Sequence, residues 1–285
     1  MYIASLTQTN LTRQQVGAKA ASLARMVQCG MHVPPGFVVT TAAHQAFLAD
    51  ANPTMPQAVR RAIEESLAQF PPTVRFAVRS SGVMEDLEHA SFAGQYDTVL
   101  DVAHSDVLAA VQQCWASADT ETAQVYARQR GVALTDQAMG VIVQRLVEAQ
   151  VAGVSFSRHP VTGAHQVVIN ASYGLGESVV SGLVTPDLFE VDPITGQVTS
   201  VLGFKEHLVR RSPRGGTEQI DTPAELASQF CLQADQVQEI ARLTTALETY
   251  CGFPVDWEWA LADNIVYCLQ VRPITSVGKP LHGRI

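Results

Sequence analysis

Asp256 to Arg272 reads DWEWALADNIVYCLQVR. A strand sends alternate side chains to opposite faces, so Asp256 and Glu258 share one face while Trp257 and Trp259 share the other. Ala262-Asp263-Asn264 reads as a turn, and the returning strand carries Gln270 and Arg272 at the same two-residue spacing. A connecting loop with an odd number of residues, for instance the three from Ala262 to Asn264, brings Gln270 and Arg272 out on the face of the acids. Two carboxylates, an amide oxygen and a guanidinium then meet on one patch of sheet. Hard oxygen donors suit Mg²⁺, which takes carboxylates together with substrate phosphate oxygens, and an adjacent Arg suits the phosphate itself. The same residues also suit a solvated face on which the acids pair with Arg272, and the hairpin alone leaves both readings open.

Around this hairpin lie 285 residues, 47% hydrophobic and 16% charged, enough apolar material for one large globular unit or two lobes sharing a cleft. The net charge of -8 comes from scattered acids, which argues against a nucleic-acid footprint or a polybasic membrane anchor. No stretch approaches the roughly 20 consecutive apolar residues of a membrane span, and MYIASLTQTNLTRQQ lacks the layout of a secretion signal, so the expected location is cytoplasmic. Cys29, Cys114, Cys231, Cys251 and Cys268 are odd in number, widely spaced and without a C-x-x-C, and read as reduced packing residues.

Along the chain, Val16, Ala20, Leu23 and Val27 predict one helix from Gln14 to Cys29, ended by Gly30. HVPPGFVVTT turns into a short strand, AHQAFLADANPTMP reads as a loop, and Val59, Ile63, Leu67 and Phe70 mark a second helix. VRFAV is a strand running into the polar loop RSSGVMEDLEHASFAG, after which YDTVL resumes alternation. Helices follow near Val107 to Trp115 and Glu121 to Arg130. Next come the strands MGVIVQRLV, GVSFS and QVVINAS, the loop YGLGESVVSGLVTPD, the hairpin FEVDPITGQVTSV and a helix from about Ala234 to Tyr250. The order implies mixed α/β structure with much antiparallel sheet.

Three further segments offer chemistry. Lys19 stands in the early turns of the first helix, where the dipole and open N–H groups favour an anion, although a lone lysine there is commonly just solvated. Arg79, Ser80, Ser81 and Gly82 at the start of the polar loop, and Ser91 to Gly94 at its end, supply hydroxyls, backbone donors and a guanidinium able to cover a polyphosphate. The Gln144 to Val147 end of MGVIVQRLV exposes a backbone edge to which a nucleobase can bond, while Val141, Val143 and Leu146 read as sheet core. Tyr173-Gly174-Leu175-Gly176 carries little weight alone. No histidines cluster as metal ligands or as part of a hydrolase triad, and His159 and His165 read as loop residues flanking HPVTG.

Taken together, VGAKAASLARM, VPPGFVVTT, FAVRSSGVMEDLEHASFAGQYDT, VIVQRLV, AGVSFSRHPVTG, ASYGLGESVVSGLVTPD and VDWEWALADNIVYCLQVRPIT resemble one family. It is the ATP-binding, ATP-grasp-like domain of the phosphoenolpyruvate synthase, pyruvate phosphate dikinase and rifampicin phosphotransferase enzymes. The resemblance covers essentially the whole chain. It implies an α/β (α+β), two-lobed ATP-grasp-like fold with mixed, largely antiparallel sheets and the nucleotide between the lobes. The lobes would run from 1 to 135, with the phosphate-covering loop at 79–98, and from 136 to 285, with the metal-binding hairpin at 255–272.

The resemblance also implies roles. Lys19 and Arg79 would hold the ATP phosphates, Gly94 and Thr98 would lie in the covering loop, and Gln144, Leu146 and Val147 would line the adenine end. Glu258 and Gln270 would bind Mg²⁺ with support from Asp256, and Arg272 would neutralise the transferred group; Lys19, Arg79 and Arg272 are the catalytic set. Ala18 stands where the family usually has a second glycine, and Gly82-Val83-Met84 replaces a small Ala-containing run. No segment resembles the family's phosphohistidine loop, so the expected function is an ATP- and Mg²⁺-dependent phosphotransferase, AMP-forming by family precedent. It would act in trans on a separate phosphohistidine-domain protein or a small-molecule acceptor, with no nucleic-acid or membrane partner. The alternatives are an ADP-forming small-molecule kinase or ligase, and a non-catalytic nucleotide-binding module of a split enzyme.

Overall fold

The computed structural model describes residues 1–49, 54–83, 98–118 and 138–274. Two compact units divide the chain: Met1–Leu146 with Pro213–Gly216, and Val147–Ser212 with Thr217–Ile285. The first unit thus includes the residues up to Leu146. The strand Met139–Arg145 forms hydrogen-bonded ladders with two strands of the first unit, which holds it there.

In the first unit the strands β1 (Ile3–Ser5), β2 (Gly36–Val39), β3 (Phe76–Gly82), β4 (Thr98–Val102) and β5 (Met139–Arg145) form an antiparallel sheet in the order β1-β2-β5-β3-β4. Phe37, Val39, Phe76, Val78, Val141 and Val143 come from one face by strict alternation. They pack with Ala43 of α3 (Thr41–Leu48), Val59 and Ile63 of α4 (Gln57–Leu67), and Val111 and Trp115 of α5 (Val107–Ala118). The segment read as a loop from Ala43 thus begins with most of a helix. Its Ala43 and Phe47, four residues apart, reach the core, a stripe too short to stand out against the Asp, Asn and Pro that follow.

The other face of that sheet receives α1 (Arg13–Val16) and α2 (Ala18–Gln28), two helices where one was expected. Gly17 breaks them apart at φ 80°, ψ 172°, a conformation open essentially only to glycine. A Cβ there would lie 1.8 Å from the Ser81 carbonyl oxygen. Gly140 likewise admits the Val16 carbonyl, whose oxygen would stand 2.3 Å from a Cβ.

The second unit is a six-stranded antiparallel sheet in the order β13-β12-β6-β7-β8-β9. Its strands are β6 (Val151–Phe156), β7 (Val167–Tyr173), β8 (Asp187–Val191), β9 (Val198–Val201), β12 (Val255–Ala262) and β13 (Ile265–Pro273). A separate hairpin joins β10 (His207–Arg211) to β11 (Thr217–Asp221). Short helices α6 (Glu177–Val180) and α7 (Ala224–Ala227) precede α8 (Ala234–Cys251), which Gly252 ends in the left-handed conformation. Trp257 and Trp259 are fully buried. The Trp257 indole N–H donates to Thr244 of α8 at 2.8 Å and that of Trp259 to Ser155 of β6 at 2.8 Å, so the tryptophan face is the one α8 covers.

Among the described residues the cysteines form no disulfide, and burial beside Asp187 pushes the Cys231 thiol up, as suits an inert packing residue. Among the described residues, no helix is long and apolar enough to cross a membrane. The expected helix from Glu121 to Arg130 lies outside the described residues.

Candidate functional site

The hairpin closes differently from the three-residue loop supposed above. Ala262 pairs with Ile265, leaving a two-residue turn in which Asp263 and Asn264 both adopt positive φ, 50° and 60°, as turns matched to strand twist require. Carried straight along the ladder, that register would set Gln270 across from Trp257 and Arg272 across from Val255, on the face buried under α8. A β-bulge prevents this. Trp259 pairs with Cys268 but Glu258 pairs with Gln270, so Leu269 is the extra residue, and Asp256 then pairs with Arg272. Asp256, Glu258, Gln270 and Arg272 therefore share the face opposite the tryptophans.

On that face Asp256 and Arg272 form a fork. Arg272 Nε donates to Oδ1 at 3.1 Å and Nη2 to Oδ2 at 3.2 Å, with both side chains half-buried. Both oxygens of Asp256 are thus engaged, which orients the guanidinium beside its neighbours. Glu258 is half-buried and Gln270 only 4% exposed, directly across the ladder from each other. A carboxylate and an amide oxygen at facing positions form a hard-oxygen donor pair that fits Mg²⁺ better than a softer metal. Among the described residues no group of three or more His, Cys, Asp and Glu gathers as a metal cluster, so a cation here would depend on Gln270 and on ligand oxygens as well. Farther along the face toward the turn, Ala260, Tyr267 and Leu269 join Val147, Ala149 and Ala152 in an apolar cluster.

The first unit gathers a second set. Arg79 and Thr98, expected at the two ends of a covering loop, are cross-strand partners on β3 and β4. The stretch Arg79–Gly82 is strand rather than loop, paired with β5 down to Met139. Arg79, Ser81 and Gln144 lie on the face that receives α1 and α2, since they alternate with the core-facing Val78, Ser80 and Val143. Ser81 accepts the Ala20 N–H at 3.1 Å, so its hydroxyl satisfies one open donor at the start of α2, next to Lys19. Gln144 is buried and its amide donates to the Pro34 carbonyl at 2.8 Å, which leaves its carbonyl oxygen as the remaining polar end. The Leu146 N–H donates to the Arg75 carbonyl and the Val147 carbonyl accepts the Ala149 N–H. Gly94 lies outside the described residues, as do all of residues 84–97.

Gly174, in the glycine-rich YGLG turn, sits at φ 80° with the Val209 carbonyl 2.3 Å from where a Cβ would be, and Leu175 donates its N–H to that same carbonyl. This glycine packs the turn against β10. His159 caps its own loop, its Nδ1 accepting the N–H groups of Val161 and Thr162 at 3.2 Å. Nothing in the sequence marked the bulge at Leu269 or the Ser81 contact with α2, because both arise from pairing between segments distant along the chain.

The chain matches the family model described as the pyruvate phosphate dikinase AMP/ATP-binding domain over residues 13–54 and 50–283. It is 36% identical to an uncharacterized phosphotransferase, YvkC, of Bacillus subtilis, over 98% of this chain and 36% of that protein. It is 35% identical to the rifampicin phosphotransferase of the same organism over 92% of this chain and 34% of that protein. A D-alanine–D-alanine ligase from Helicobacter pylori aligns over 88% of this chain and 52% of that one at 8% identity, with a TM-score of 0.39, too low to bear on function. The chain spans about a third of the length of the two curated relatives named here.

Proposed function

Because the chain belongs to the family of the pyruvate phosphate dikinase AMP/ATP-binding domain, we propose that it is the nucleotide-handling part of an ATP- and Mg²⁺-dependent phosphotransferase. The observation that carries this reading is the bulge-set register of β12 and β13. It sets Gln270 and Arg272 beside Glu258 and Asp256, on the side of the sheet away from α8. A purely structural ion pair needs no facing carboxylate–amide pair beside it.

In this reading Glu258 and Gln270 hold Mg²⁺, which when bound offsets phosphate charge. Asp256 keeps the Arg272 fork aimed at the transferred phosphoryl group, where charge redistributes in the transition state. Lys19, at the start of α2, and Arg79, with Thr98 beside it on the neighbouring strand, supply positive charge and donors to the phosphate chain. The Leu146 carbonyl and Val147 N–H are the backbone groups offered to adenine. Phosphoryl transfer asks the protein for position and charge rather than a covalent group, and the acceptor in this proposal is a histidine on a separate protein or a small molecule.

The test is to incubate the protein with Mg²⁺ and ATP, with and without a candidate histidine-domain partner, and to separate AMP from ADP by chromatography. AMP accumulating only with the partner supports transfer in trans. ADP would favour a direct kinase or ligase. Heat of ATP binding without turnover under any condition would leave a nucleotide-binding module, and neither heat nor turnover would sink the proposal.

A further inference from the structure

Asparagine is depleted in strand interiors, yet Asn170 stands in the middle of β7, a central strand of the second unit's sheet. Its face follows from the ladders. Gln270 pairs with Glu258, Glu258 with Val154, Val154 with Asn170, and Asn170 with Leu188, one row running across five strands. Cross-strand partners project from the same face, so Asn170 emerges beside the candidate metal pair, away from α8. Two strand spacings separate it from Glu258, about 10 Å, with only Val154 between.

Within the row its immediate neighbours, Val154 and Leu188, are apolar. Among the described residues, its half-buried carboxamide makes no hydrogen bond. The next residue on the same face of β7, Ser172, is 1% exposed and its Oγ also lacks a partner. Two successive polar positions with unmet bonds break the local rule for a sheet face, and such breaks mark sites kept for a ligand.

We infer that Asn170 is a further phosphate-binding residue: its amide N–H donates to an oxygen of the phosphate chain beyond the α-phosphate, on the side of the metal pair away from Arg272. This rests on the nucleotide reading above and extends it by one residue. The carboxamide suits the task, being a neutral donor that adds no charge to a patch already holding Glu258 and Asp256.

The test is calorimetric titration of the full chain with ATP and with AMP, in Mg²⁺, for the wild type, Asn170→Leu, Asn170→Asp and, in parallel, Glu258→Gln. Loss of one hydrogen bond to a charged group weakens binding by about tenfold, so Asn170→Leu should bind ATP about tenfold more weakly with its AMP affinity changed less than twofold. Asn170→Asp, placing a carboxylate against phosphate, should bind ATP more weakly still. Thermal midpoints keep folding separate from binding, and Leu suits a strand, so Asn170→Leu should melt at or above the wild type. Unchanged ATP affinity in Asn170→Leu, or equal loss for ATP and AMP, overturns the assignment while Glu258→Gln reports on the nucleotide reading itself. A wild type that binds neither nucleotide overturns both.

Discussion

Lys205 is the sharpest point at which to press on the second unit. Its ammonium is wholly buried, donating to Asp187 Oδ1 at 2.5 Å and to the Gly203 carbonyl at 3.1 Å. Asp187, equally buried, also accepts the Gly203 N–H on Oδ1 and the Cys231 N–H on Oδ2. One ion pair thus ties the start of β8 to the segment ahead of β10 and to the approach to α8. Replacing it by Lys205→Met keeps most of the volume but leaves a carboxylate buried against two N–H donors with its countercharge gone. Breaking a buried pair from one side costs about 3–5 kcal/mol, a large share of the stability of an ordinary domain. Asp187→Asn in the same chain removes the stranded charge and leaves an oxygen for an N–H, so the double variant should recover about 2 kcal/mol or more of that loss. Urea unfolding followed by tryptophan emission reads this directly in a Trp115→Phe background, where Trp257 and Trp259 report on the second unit alone. A loss below about 1 kcal/mol for Lys205→Met, or a double variant no more stable than the single one, would refute the idea that this pair is worth more than a surface contact.

The remaining predictions touch both units. His44 is buried against Trp115, its Nδ1 accepts the Met139 N–H at 3.1 Å, and burial holds its pKa down to about 4 from the usual 6.5. The unfolded chain takes up this proton first as pH falls. The stability His44 confers is therefore whole above pH 6.5 and declines toward pH 4, by about 3 kcal/mol in all. His44→Gln should flatten that part of the urea midpoint profile, and a profile identical to wild type would count against it. Gly17→Ala forces a Cβ onto the Ser81 carbonyl at a backbone angle closed to alanine, so it should cost on the order of 3 kcal/mol and disturb the start of α2; an unchanged melting point would contradict the close approach. Asp256→Asn leaves stability within about 1 kcal/mol, since the Arg272 pair is partly exposed. It should nonetheless slow ATP turnover more than it weakens ATP binding, and equal effects on both would argue against an orienting role for the fork.

Much of this was legible in advance because it depends on neighbours in sequence. The amphipathic stripe of Val59, Ile63 and Leu67 made α4 readable, and the β8–β9 hairpin announced its turn. The alternation of Asp256, Trp257, Glu258 and Trp259 by itself separates a polar face from a buried one. The ordered motifs pointed to the family as well. Less legible were the places where distant segments meet: the break in the first helix at Gly17, the strand character of Arg79 to Gly82, and the helix after Thr40.

By itself, then, the amino-acid order determined the mixed α/β class and the residues able to carry phosphate chemistry, since periodicity and side-chain type are local properties. Only the tertiary structure decided which of those residues face together. A two-residue turn would have buried Gln270 and Arg272 under α8, and the extra residue at Leu269 returned them to the side of Glu258. Strand register is a sum over a whole ladder, so one bulge reverses the facing of every residue beyond it.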